Sequence, residues 1–358
     1  SLDILTLAAS HPSVQVPVTA APFGASIPHC IIADNVPLAV YDQLIAAVRA
    51  HLPIVHRYYE LRRRLLGLDE IHHYDCYVPL VPELEQRHTW DEAIQEITAS
   101  LQPLGTEYCD QLEAGLRGRW CDRYPNVGKQ SGAFSSGTYD SDPYILMNFQ
   151  EDVIEHVFTL AHEAGHSMHT RLSADAQPFQ YAGYTIFVAE VASTFNEQLL
   201  TRHLLSKAHS PKQRAAIISR EIDAIRGTII RQTMFAEFER MSHSSVESGE
   251  PLTLEKIRTI YRELLTAYFG SGFAIDEELE LESLRIPHFY RAFYVYKYAT
   301  GLSASIALSK HVTEGGPKEL AAYLQFLRGG CSKWPLDLLR DAGVDLETPE
   351  PVGLALTR

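Results

Sequence analysis

His162-Glu163-Ala164-Gly165-His166 places two imidazoles four residues apart, with a carboxylate next to the first. On a helix, residues i and i+4 share a face, so both rings can reach one Zn²⁺ while Glu163 turns toward a water at the metal. The chemistry this spacing supports is metal-assisted hydrolysis, most often of a peptide bond. Five residues with three fixed positions are weak evidence by themselves, so the surrounding residues must carry the rest.

Zinc needs a third protein ligand and an open fourth position. The stretch Tyr181 to Glu197 is apolar with very few charges, and Glu190 stands in it among Phe187, Val188, Ala189, Val191 and Ala192. A lone carboxylate in such surroundings is costly to bury unless a metal neutralises it, which makes Glu190 the candidate third ligand. Glu197 lies seven residues on, two turns along the same face, where it can accept a hydrogen bond from a ligand imidazole. His169, three residues past His166, is a rival third ligand. One short helix would then supply every donor, which strains tetrahedral geometry, and the alternative role for His169 is a packed histidine.

These residues need elements to hold them. From Val153 to Thr170, the residues Val153, Val157, Leu160, Ala161 and Ala164 recur at helical spacing, with Glu151 and Asp152 expected in the first turn. Gly165 inside that helix costs about 1 kcal/mol of propensity relative to Ala, which implies a close packing partner at its backbone. Ahead of it, Ser131–Thr138 and Tyr144–Phe149 flank a Gly/Asp/Pro turn and read as a short β-hairpin. A strand edge beside the metal helix can pair with an extended peptide, and the small Gly132 and Ala133 would permit that approach. Helical periodicity covers roughly 37–66, 90–117, 190–207, 211–248, 253–269, 287–311 and 317–328, so the architecture is expected to be mainly α.

Taken together, HEAGHSMH (162–169) and FVAEVASTFNE (187–197) resemble the M3 family of zinc metallopeptidases, in particular its oligoendopeptidase F branch. Blocks at 35–81, 132–149, 285–301 and 329–346 extend the likeness from about residue 30 to the C-terminus. The resemblance implies a helical zincin-type catalytic domain with a small β-hairpin or sheet next to the active-site helix, spanning 30–358. Residues 1–29 fall outside it and are poorly predicted. It also implies one Zn²⁺ per chain, with His162, His166 and Glu190 as ligands and Glu163 as general base. His288 and Tyr296, with Tyr294 next, match the region that supplies transition-state donors, although Tyr290, Tyr294, Tyr296 and Tyr298 offer competing registers. Chemistry asks for such groups, because a positioned Tyr O–H or His N–H can stabilise the developing oxyanion by about 3–4 kcal/mol. The same aromatics also suit a helix core. Family members carry a further N-terminal lobe for which no counterpart is expected here, which leaves open a fragment or a natural short form.

The function expected on these grounds is a zinc-dependent endopeptidase acting on short peptides; the alternative is a zinc-retaining peptide-binding protein without turnover. A net charge of −14 argues against nucleic acid or anionic membrane partners, which need a basic face. The acidic run Asp276 to Glu282 is expected to be a solvated loop or helix start. Five scattered cysteines without a CxxC pair fit reduced thiols in the cytoplasm. No run is expected to reach the roughly 18 apolar residues that cross a bilayer.

Overall fold

The computed structural model describes residues 34–81, 87–290 and 292–357; the N-terminal segment 1–29 lies outside them. In chain order the longer helices are α1 (Leu38–Leu66), α2 (Trp90–Ser100), α3 (Thr106–Arg117), α4 (Ile154–Ala176), α5 (Ile186–Lys207), α6 (Pro211–Ile225), α7 (Arg231–Glu247), α8 (Leu254–Phe269), α9 (Tyr296–Glu314), α10 (Pro317–Leu327), α11 (Pro335–Asp341) and α12 (Glu350–Leu356). Three short strands, β1 (Cys121–Asp122), β2 (Phe134–Ser136) and β3 (Tyr144–Leu146), fall between α3 and α4. The expected mainly-α architecture with a small sheet is the one observed. Contacts group the described residues into two compact units, one of those within 34–81, 222–300 and 346–357, the other of those within 87–221 and 301–345. Each draws on segments distant in sequence, so no Pro- or Gly-rich linker marks either.

The second unit is built around α4 and α5. Helix α5 buries residues on almost every side, from Phe187 through Val191, Phe195 and Leu199 to Thr201, as expected of a helix that is apolar all round. Helix α4 buries Val157, Leu160, Ala161, Ala164 and Met168 against it. Gly165 makes the pairing close: a Cβ there would lie 2.5 Å from the Ala192 carbonyl oxygen and 2.6 Å from Ser193 Cα. This is the close partner that the glycine implied. Asn196 Nδ2 donates to the Ala161 carbonyl at 3.1 Å and ties the two helices with a buried polar contact. Helix α4 begins one residue later than expected and runs further, to Ala176. Glu151 and Asp152 therefore precede it, and Glu155 is the acid of its first turn.

The hairpin is present as β2 and β3, antiparallel with Phe134 opposite Leu146 and Ser136 opposite Tyr144. Strand β1 adds to it in parallel on the other side of β3, an addition with no hairpin signal in the sequence, which leaves β2 at one edge. The expected helix over 90–117 is two helices, because Pro103 and Gly105, the latter at φ 91°, interrupt it. Thr89 and Glu92 close a capping box at the start of α2.

In the first unit, α1 packs on α7, α8 and α12. Contrary to the sequence expectation, α1 is long and apolar enough by length and composition to cross a bilayer. Its buried face, including Val40, Tyr41, Leu44, Val48 and Leu52, is part of this unit's core. The acidic run opens a 3₁₀ segment, Glu277–Arg285, which meets the helix-start alternative, but the run is not solvated throughout. Glu280 and Glu282 are buried there, Glu280 paired with Arg258 and Arg262, Glu282 with Arg231, Arg285 and the Tyr261 hydroxyl. The helix expected from 287 starts only at Tyr296. Before it, Phe293 sits at φ 56°, a left-handed conformation that stops helical continuation. Its backbone N–H donates to the buried Glu239 carboxylate at 2.8 Å.

Candidate metal centre

His162 and His166 project from one face of α4, their ring centroids 4.9 Å apart, and Glu190 faces them from the first turns of α5. His162 Nε2 lies 3.4 Å and His166 Nε2 3.8 Å from the same oxygen, Glu190 Oε2. A tetrahedral zinc with bonds of about 2.0–2.1 Å holds its donors about 3.3 Å apart, so this donor set fits the ion in type, number and spacing. Among the described residues this is the one cluster of three or more His, Cys, Asp or Glu side chains whose donor atoms converge in this way.

The surroundings hold Glu190 and His162. Ser193, one turn along α5, donates to Glu190 Oε2 at 3.2 Å. Gly301 on α9 leaves room for this side chain, since a Cβ there would stand 3.1 Å from the Glu190 Cβ. Glu197 Oε1 pairs with His162 Nδ1 at 2.8 Å, which leaves Nε2 of that ring to face the centre. Arg220 on α6 donates to the other Glu197 oxygen at 3.2 Å and to both oxygens of Glu155 at 2.9 and 3.0 Å. Ser135 of the edge strand joins the site twice: its hydroxyl pairs with Ser167 on α4 at 2.8 Å, and its backbone N–H is hydrogen-bonded to Glu163.

Electrostatics follow from this packing. Burial pulls His162 down, but the hydrogen bond and charge of Glu197, with Glu190 and Glu163 adding theirs, outweigh it and hold the ring up at about 9. His166, buried beside that cation, falls to about 3. Burial raises the Glu163 carboxyl above its ordinary range, against the pull of His162. Burial would raise Glu197 as well, yet His162 and Arg220 prevail and keep it below the usual carboxylate range. The pocket thus sets a readily ionised carboxylate behind one imidazole and a more basic carboxylate, Glu163, beside the donors.

The structure therefore brings together His162, Glu163, His166, Glu190 and Glu197. His169 is elsewhere: it is buried and stacked on Tyr184 at 3.7 Å, outside the donor cluster, which answers the rivalry with Glu190 by packing. Gly132, at φ 90°, and Ala133 lead directly into the edge strand β2. In the first unit, His288 lies in a short 3₁₀ turn, and the Tyr298 hydroxyl links it, at 3.4 Å, to the Tyr294 hydroxyl at 3.3 Å. Tyr296 is not part of that trio. It is fully buried, its ring 5.2 Å from Tyr41. Sequence reasoning did not anticipate Ser135, Ser193 or Arg220; of these only Ser193 carried a signal, its spacing three residues after Glu190.

The profile of Peptidase family M3 matches residues 29–357. The chain belongs to peptidase family M3. It is 48% identical over 322 residues to oligopeptidase PepF of Bacillus subtilis (strain 168), covering 90% of this chain and 48% of that one. To an oligoendopeptidase F homolog of Borreliella burgdorferi it is 44% identical, over 88% of this chain and 54% of the other. The crystal structure of oligoendopeptidase-F from Enterococcus faecium superposes with a TM-score of 0.76 at 31% identity, covering 99% of this chain and 58% of that one. The chain spans about half the length of the curated relatives it matches.

Proposed function

We propose that this M3 chain is a zinc-dependent endopeptidase that hydrolyses short peptides in the cytoplasm. The observation that carries the reading is the meeting of His162, His166 and Glu190 at donor separations of 3.4 and 3.8 Å, with Glu163 adjacent to His162 on α4 and within electrostatic reach of both His162 and Glu190. When bound, the ion supplies Lewis acidity, polarising the scissile carbonyl and making a water at the site acidic near neutral pH. His162, His166 and Glu190 hold it. Glu163, made more basic by its burial, takes a proton from the attacking water and passes it to the leaving amine. Glu197 and Ser193 fix the orientation of the His162 ring and the Glu190 carboxylate. The outer edge of β2, entered through Gly132 and Ala133, accepts the extended substrate by backbone pairing, which gives affinity with little side-chain preference. His288 with Tyr294 or Tyr296 is assigned the oxyanion contact on the strength of the sequence resemblance. The burial of Tyr296 favours Tyr294 for that role.

Replacement of Glu163 by Gln keeps the shape of the side chain and removes the base. The Glu163→Gln protein is expected to retain stoichiometric zinc and to lose at least about a thousandfold in turnover of an internally quenched fluorogenic peptide. Near-parental turnover in that variant would exclude Glu163 as the base. A parent protein that binds zinc and peptide but shows no chelator-sensitive hydrolysis would instead support the reading of a binding protein without turnover.

A further inference from the structure

Behind Glu197 the polar chain continues to a residue outside the metal-binding motif. Arg220 is one-fifth exposed, and its guanidinium lies 3.2 Å over the ring of Phe158, four residues before His162 on the same helix. Its Nε donates to both oxygens of Glu155, again on α4, and its Nη2 donates to Glu197 Oε2 on α5. The guanidinium is thus held by stacking on one side and by a bifurcated ion pair at its edge, with one N–H aimed at Glu197. The two Glu197 oxygens are divided between Arg220 and His162 Nδ1. A carboxylate gripped at one oxygen has its plane fixed, and the ring bonded to its other oxygen inherits that orientation.

We propose that Arg220 is a positioning residue of the metal centre, locking the Glu197 carboxylate so that the His162 ring is presented with Nε2 toward the ion. The inference rests on the reading of His162 as a zinc ligand and adds the residue that sets its aim. Lysine does not substitute: one ammonium on a flexible stem lacks the planar fork that reaches Glu155 and Glu197 together and does not stack flat on Phe158. The guanidinium also links α4, α5 and α6, so a purely structural role must be separated from the positioning one. Energetic coupling to Glu197 makes that separation.

The test measures zinc affinity by competition with a chromophoric chelator, with circular dichroism confirming the fold, in the parent, Arg220→Ala, Arg220→Lys, Glu197→Ala and the double Ala variant. Arg220→Ala is expected to weaken zinc binding about tenfold, the lower end of what partners of metal ligands contribute, and Arg220→Lys to remain impaired. In the Glu197→Ala background, the Arg220 substitution is expected to add nothing further. Parental affinity in Arg220→Ala, full restoration by Lys, or an undiminished tenfold loss in the Glu197→Ala background would each overturn the assignment while leaving the ligand set standing. A parent protein that takes up no zinc would overturn the ligand reading itself, and this inference with it.

Discussion

At His162 both ring nitrogens are committed, Nε2 to the side facing Glu190 and Nδ1 to Glu197. The residue types and their spacing were enough to find the two histidines, Glu163, the lone carboxylate Glu190 and its neighbour two turns on, because all five obey helical periodicity within single elements. Arg220 and Ser135 were out of reach, since each meets the site through tertiary packing from an element with its own, unrelated pattern. A second buried acid, Glu239 in the first unit, was equally hidden, because a carboxylate on an amphipathic helix reads as surface until its neighbours are known. One of its oxygens accepts the Phe293 N–H; the other has no partner among the described residues, and burial pushes the carboxyl up to about 8. The folded chain therefore keeps a proton that the unfolded chain has already released, so the contribution of this group is full below the ordinary carboxylate range and is lost as pH rises toward about 8. Glu239→Gln keeps an acceptor for Phe293 and cannot ionise. Its melting temperature is expected to gain on the parent steadily between about pH 5.5 and about pH 8.5. Differential scanning calorimetry across that range checks it, and an offset between the two proteins independent of pH would show that Glu239 does not titrate in the fold.

The α4–α5 pair is the element that turns a sequence motif into a site. Its closeness depends on Gly165, where the obstacles to a Cβ are backbone atoms of Ala192 and Ser193 that have no side-chain freedom with which to yield. Gly165→Ala gains about 1 kcal/mol of helix propensity and forces apart the two helices that carry the donors, a strain of about 1–3 kcal/mol or more. The net expectation is a destabilised protein, by about 1–2 kcal/mol in urea melts, with weakened zinc binding. A variant more stable than the parent would mean that the helices separate easily. Other element boundaries departed from periodicity for local reasons: Pro103 and Gly105 split the run at 90–117, and the left-handed Phe293 delays α9 to Tyr296. A hydrophobic repeat continues across such breaks because both flanking segments face a core, so the pattern alone cannot see them.

For the molecule as a whole, the class of the described residues was readable in the sequence: mainly helical, with a small sheet next to the helix of the two histidines. Its division was not, because the described residues within 34–81, 222–300 and 346–357 form one compact unit and the segments between them the other, with no change in composition at the crossings. All three proposed ligands and the proposed base lie in the second unit, so the account requires of the whole chain a single zinc bound through nitrogen and oxygen alone, although four free cysteines are present among the described residues. X-ray absorption spectroscopy of the purified protein loaded with one equivalent of zinc tests this most directly. The predicted spectrum is one zinc per chain with about four nitrogen or oxygen neighbours at about 2.0–2.1 Å and the outer-shell signature of two imidazoles, which falls to one in His166→Ala. Sulfur neighbours at about 2.3 Å, or two imidazoles that persist in His166→Ala, would contradict it.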